Sequence, residues 1–175
     1  MPITSYIRTI PDYPKKGVLF RDITTLFLNP QGLRQAIDTL AKRYADAPLT
    51  KIAAIEARGF LVGAPLAYAL NRGLVLIRKP GKLPCNTIGQ DYALEYGTAR
   101  IEMHDDAIQP GERILLVDDL LATAGTAMAA IRLIEQSGGI IHETAFLVDL
   151  PYLGGGNRLK NNGYTVFTLA QFEGE

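Results

Sequence analysis

A chain of 175 residues, 47% hydrophobic and 21% charged, has the size and composition of one globular domain with a substantial core. Its 18 Lys and Arg against 18 Asp and Glu leave a formal net charge of zero, so no global field draws it to nucleic acid or a membrane, and any anion site must be built locally. The single cysteine, Cys85, excludes an internal disulfide, and without a Cys/His cluster a structural zinc site is not expected.

Polar and charged residues run throughout Met1 to Arg21, so neither a signal peptide nor a spanning helix is expected there, and the cytoplasm is the expected location. Asn29-Pro30 has the form of an N-cap followed by proline at the first helical position. Leu33, Ile37, Leu40, Ala41 and Tyr44 then recur at helical spacing, which predicts a helix over 30–45. The short apolar run Ile52 to Ile55 suits a parallel strand covered on both faces, feeding a loop at Glu56-Ala57-Arg58-Gly59 and a helix over 60–71. Leu74 to Ile77 is the next strand. From Arg78 to Gly97 helical period is weak; Tyr92, Leu94 and Tyr96 alternate with Ala93 and Glu95, as in one arm of a hairpin paired with Ala99 to Met103. Such an arm either closes over a site or serves only as a dimer contact.

Ile114 to Val117 predicts a third core strand, Met128 to Ser137 a helix stopped by Gly138-Gly139, Thr144 to Val148 a fourth strand and Tyr164 to Leu169 a fifth. Gly154-Gly155-Gly156 reads as a flexible or tightly turned join to a small cap. Strands alternating with helices imply an α/β fold, a central mainly parallel sheet flanked by helices, with ligands bound outside the carboxyl ends of the strands. That places Glu56, Arg58, Arg78, Lys79, Asp118 and Asp119 on one rim, with Lys82 nearby.

Between the third strand and its helix stands VDDLLATAGTA, Val117 to Ala127. Small residues opening a helix let backbone N–H groups converge on a phosphate where the macrodipole also favours negative charge. Thr123 and Thr126 add hydroxyl donors. The carboxylates of Asp118 and Asp119 repel phosphate but accept hydrogen bonds from sugar hydroxyls or hold a divalent metal. The bland alternative is an N-cap and a solvated rim charge. Neither a Walker loop nor a dinucleotide fingerprint is present. A phosphate site, a diol site and a cationic pocket across the rim suit a sugar carrying phosphate at one end and diphosphate at the other, 5-phospho-α-D-ribose 1-diphosphate (PRPP). Loss of diphosphate from its anomeric carbon needs positioning, charge neutralisation and exclusion of water more than covalent help.

Val117 to Ala127 resembles the PRPP motif of the type I phosphoribosyltransferases. DYPKKGVLFRDIT (Asp12 to Thr24), EARGFLVGAP (Glu56 to Pro65), RKPGKLP (Arg78 to Pro84) and LEYGT (Leu94 to Thr98) are similar to the adenine-using branch of that family. The resemblance spans nearly the whole chain. It implies one phosphoribosyltransferase domain over 1–175, with a small hood from about 1–28 and a flexible hairpin loop at about 79–97. It also implies a cytoplasmic, homodimeric pentosyltransferase of purine salvage that makes AMP and diphosphate from adenine and PRPP, with Mg²⁺ accompanying PRPP or diphosphate and no protein ligand assigned to the metal. By the same resemblance, Leu19, Phe20 and Arg21 lie at the base, Phe20 stacking there or simply packing in the core. Ala57, Arg58, Gly59, Arg78, Lys79 and Lys82 face diphosphate, with Lys82 a candidate to act across a dimer interface. Asp118 and Asp119 take the ribose, Ala122, Thr123, Ala124, Gly125 and Thr126 take the 5′-phosphate, and Glu95 is the candidate proton acceptor or else a solvated hairpin charge.

Two features bear on the base. The adenine branch usually carries Gly where this chain has Ala124, and orotate enzymes resemble it in reading TAGTA, which makes orotate the nearest competing substrate. Ala is tolerable there if the position does not need positive φ. Enzymes for 6-oxopurines place a catalytic Asp where this chain has Ala122, whose methyl takes no proton. A regulator that kept the PRPP site as a sensor is a further alternative, against which stand the neutral charge and the absence of a separate DNA-binding segment.

Overall fold

The computed structural model describes residues 1–94 and 96–174. A 3-10 turn (Ile3–Tyr6) leads into an antiparallel ribbon, β1 (Arg8–Pro11) with β2 (Leu19–Asp22), followed by α1 (Thr24–Leu28) and α2 (Pro30–Tyr44). Asn29 caps α2 as its sequence implies, Oδ1 accepting from the Gly32 N–H at 2.9 Å. Then come β3 (Lys51–Ile55), α3 (Arg58–Ala69), β4 (Gly73–Ile77), the hairpin β5 (Thr87–Ala93) and β6 (Thr98–His104), β7 (Arg113–Leu121), α4 (Gly125–Gln136), β8 (Ile140–Asp149), a 3-10 turn (Pro151–Leu153), α5 (Gly155–Asn161) and β9 (Val166–Gln171).

β4, β3, β7, β8 and β9 form, in that order, a five-stranded parallel sheet. Strict alternation along each strand divides the core in two. Ile52, Ala54, Leu115, Val117, Ala145 and Leu147 meet α2 and α3 through Ile37, Leu40, Val62 and Leu66. Ala53, Ile55, Ile114, Leu116 and Phe146 meet α4 and α5 through Met128, Ile131, Ile134 and Leu159. Helices thus cover both faces, as near-continuous apolar strands require. After β3 the chain steps outward to β4, then returns to place β7 on the other side of β3 and continues outward through β8 and β9. The order therefore reverses between β3 and β7, which is where a crevice opens at the carboxyl ends of a parallel sheet.

Two expectations need correction. β7 runs four residues beyond Val117, to Leu121, because its register with β8 continues through Leu121↔Asp149; the acidic pair lies within the strand's end rather than after it. Gly154 to Gly156 opens α5 instead of forming a loose join, for a packing reason given below. The hairpin expected in the weakly patterned stretch is present: Thr87–Ala93 pairs antiparallel with Thr98–His104, and paired backbone stabilises strands whose side chains are only half-buried.

Candidate active site

A cleft of about 420 Å³ occupies the crevice between β3 and β7. Ile55 and Ile77 form part of its wall, Glu56, Ala57, Arg58 and Lys79 lie at the strand ends, Asp118 and Asp119 come from β7, Thr126 from α4, and Tyr92 and Ile101 from the hairpin. A hollow of about 100 Å³ adjoins it, lined by residues 120–127 together with Asp118 and Phe146.

The cationic side of the cleft is built on α3 and the turn before it. Ala57 precedes the helix and Arg58 opens it, with Arg58 half-exposed. Gly59 is buried where a Cβ would lie 2.9 Å from Asp118 Oδ1, so only glycine lets the α3 end approach β7 this closely. Arg58 Nε lies 2.7 Å from Asp119 Oδ2. The contact is ionic rather than an aligned hydrogen bond, which leaves buried Oδ2 without a directed donor. Asp118 Oδ1 accepts the Asp119 N–H at 2.8 Å. Desolvation, then the adjacent Asp119 charge, push the Asp118 carboxyl well above the ordinary carboxylate range.

Across the cleft Glu56 organises the second cationic loop. Its carboxylate accepts from Arg78 Nε at 2.9 Å and from the Lys79 N–H at 2.7 Å. Burial opposes ionisation of Glu56, but the Lys79 N–H and the Arg78 guanidinium outweigh it and hold its pKa below the usual value. Lys79 lines the cleft; Arg78 is turned toward Glu56, and Lys82 is exposed outside the cleft lining. Paired backbone bonds between Arg78 and Glu102 tie this loop to the hairpin.

Residues 122–126 form the small-residue loop. Ala124 is the N-cap of α4, and Gly125 and Thr126 already belong to the helix. Among the described residues no acceptor meets the N–H groups of Thr123, Ala124, Gly125 or Thr126, the pattern of a helix N-terminus open to an anion. Ala124 has φ 64°, so the condition under which alanine would be strain-free here is not met. The left-handed conformation costs an L-residue roughly 1–2 kcal/mol. Burial of its methyl against the α4 side of the core returns about 0.8 kcal/mol.

The residues expected at the base do not line this cleft. Leu19, Phe20 and Arg21 stand on β2 in the N-terminal ribbon, where Phe20 packs edge-on to Tyr13 at 5.1 Å and the Arg21 guanidinium lies 4.4 Å above the Phe172 ring. Glu95 lies outside the described residues. The cleft also has members that sequence reasoning missed: Tyr92, whose phenol oxygen accepts from Thr126 Oγ1 at 3.3 Å, and Ile101 on the facing strand. The alternation around Tyr92 held the signal for its facing, but not for its partner.

The model of the phosphoribosyl transferase domain matches residues 22–165. An adenine phosphoribosyltransferase of Chlorobium luteolum is 58% identical over the full length of both chains. The solved adenine phosphoribosyltransferase of Thermoanaerobacter pseudethanolicus superposes with a TM-score of 0.90 at 48% identity, covering 97% of this chain and 98% of that one. That of Saccharomyces cerevisiae, complexed with an imino-altritol bisphosphate and adenine, superposes with a TM-score of 0.88 at 36% identity, covering 95% and 96%. The chain belongs to the phosphoribosyltransferase family and, within it, to the adenine phosphoribosyltransferases.

Proposed function

We infer that the protein transfers the 5-phosphoribosyl group of PRPP to adenine, forming AMP and diphosphate in purine salvage. The observation that carries this reading is the open N–H cradle of residues 123–126 beside a carboxylate pair, facing Arg58 and Lys79 across one cleft. Phosphate sits in the cradle, the ribose hydroxyls donate to Asp118 and Asp119, and diphosphate meets the turn at Ala57, Arg58 and Gly59 with Arg78, Lys79 and Lys82 in support. Asp119 Oδ2, buried and lacking a directed donor, is suited to a sugar hydroxyl. As the anomeric carbon gains positive charge, the carboxylates stabilise it and the cationic loops stabilise the departing diphosphate. Glu95 takes the proton that adenine loses on alkylation, and Leu19, Phe20 and Arg21 close over the base from the hood.

Asp118 and Asp119 line the cleft and would accept, directly or through water, Mg²⁺ carried in on the sugar diphosphate. The ion supplies neutralisation of the leaving group. We further propose a cytoplasmic homodimer built as one transferase unit. Purified protein supplied with PRPP and Mg²⁺ is expected to release diphosphate with adenine and not with orotate or hypoxanthine, and to stop when the metal is chelated. Turnover with orotate alone would overturn the choice of base.

A further inference from the structure

Three successive carbonyls, of Leu121 at the end of β7 and of Ala122 and Thr123 in the small-residue loop, are gripped by one later segment. Leu121 O accepts the Leu150 N–H at 3.0 Å, Ala122 O the Gly155 N–H at 2.9 Å, and Thr123 O the guanidinium of Arg158, Nη1 at 3.2 Å. A planar trans peptide carries its C=O and the next N–H in opposite directions. Each grip therefore turns the N–H of Ala122, Thr123 or Ala124 away from residues 150–158. The hollow at the loop has no lining from that segment. The approach is close: a Cβ on Gly155 would lie 2.2 Å from Ala122 O, which explains why the glycine run opens α5 instead of forming a loose join. Arg158 is exposed, yet it reaches back to a backbone carbonyl. A cationic donor on Thr123 O polarises the peptide whose other end is the Ala124 N–H, making that N–H a stronger donor to an anion.

We propose that Arg158 is a positioning residue for the 5′-phosphate cradle, acting through the Thr123–Ala124 peptide without touching substrate. This rests on the phosphate reading of the loop. It predicts dependence on the phosphate and on nothing else in the substrates. Calorimetry with ribose 5-phosphate and with ribose, together with steady-state kinetics, on the wild type, Arg158→Ala and Arg158→Lys separates the two ideas. Arg158→Ala is expected to weaken ribose 5-phosphate binding and raise the PRPP KM about tenfold, with kcat and the adenine KM within about twofold. Arg158→Lys, which keeps a charged donor, is expected to recover most of the loss. An unchanged PRPP KM, a parallel rise in the adenine KM, or a loss of thermal stability alone would overturn the role of Arg158. Failure of the wild type to bind ribose 5-phosphate would instead overturn the phosphate reading itself.

Discussion

Asp118 and Ala124 are both kept at a cost to the folded state, and both stand where the cleft meets the small-residue loop. For Asp118 the cost depends on pH. Its folded pKa lies above the unfolded value because of desolvation and the Asp119 charge. Below the unfolded pKa both states hold the proton and no penalty exists. As pH rises past that value the unfolded chain ionises first, so the native state loses relative stability until the folded pKa is passed. Asp118→Asn is therefore expected to raise Tm at neutral pH, with the gain shrinking toward zero as pH falls below the ordinary carboxylate range, while raising the PRPP KM. Thermal scans across pH beside kinetics check both, and a Tm gain independent of pH would contradict the assignment. At Ala124 the opposing terms are conformational strain and methyl burial, the burial offsetting roughly half of the strain. That partial offset reduces, without removing, the cost of a left-handed backbone at a residue other than glycine.

The hairpin β5–β6 links the pieces of the cleft at the scale of elements. Its base is joined to the loop after β4 through Arg78 and Glu102, and its upper part reaches α4 through Tyr92 and Thr126. Leu94 N–H donates to Gly97 O at 3.0 Å, closing the tip. Glu95, the proposed proton acceptor, lies outside the described residues, between Leu94 and Tyr96 in sequence. Glu95→Gln is expected to lower kcat by roughly 10²-fold or more, with both KM values little changed, if proton transfer limits turnover; an unaltered kcat would remove Glu95 from the chemistry. The elements themselves were readable wherever one local pattern dictated one outcome. Asn29-Pro30 announced α2, and the uninterrupted apolar runs announced β3, β4 and β7. The rim grouping of Glu56, Arg58, Lys79, Asp118 and Asp119 followed from strand ends alone. What escaped were features set by long-range contacts. The extension of β7 depends on the register of β8. The positive φ of Ala124 follows from neither composition nor spacing. The grip of residues 150–158 on the loop joins segments some thirty residues apart, and its sequence trace, three glycines, reads equally well as slack chain.

At the scale of the whole molecule, one face exposes large apolar side chains. Leu61 and Tyr68, seven residues apart and so on one side of α3, are 50% and 90% exposed, and the edge strand β4 adds Leu76 at 36%. Among the described residues only the Arg78–Glu102 bridge, just past its end, extends β4 outward, so the strand keeps an open edge. Grouped apolar side chains beside an unpaired edge are what a soluble chain covers by association. In the homodimer proposed above, a second copy of this chain using the same face in a two-fold interface would cover both at once. The same α3 carries Arg58 and Gly59 at its other end, so pairing through this helix would also steady the cationic side of the cleft. Tyr68→Arg places a charge in the middle of the proposed contact without touching the core. Light scattering is expected to show the wild type at twice the chain mass and the variant at the chain mass at micromolar concentration, with turnover reduced in the monomer. A monomeric wild type, or a variant that keeps the doubled mass, would show that this face is not the interface.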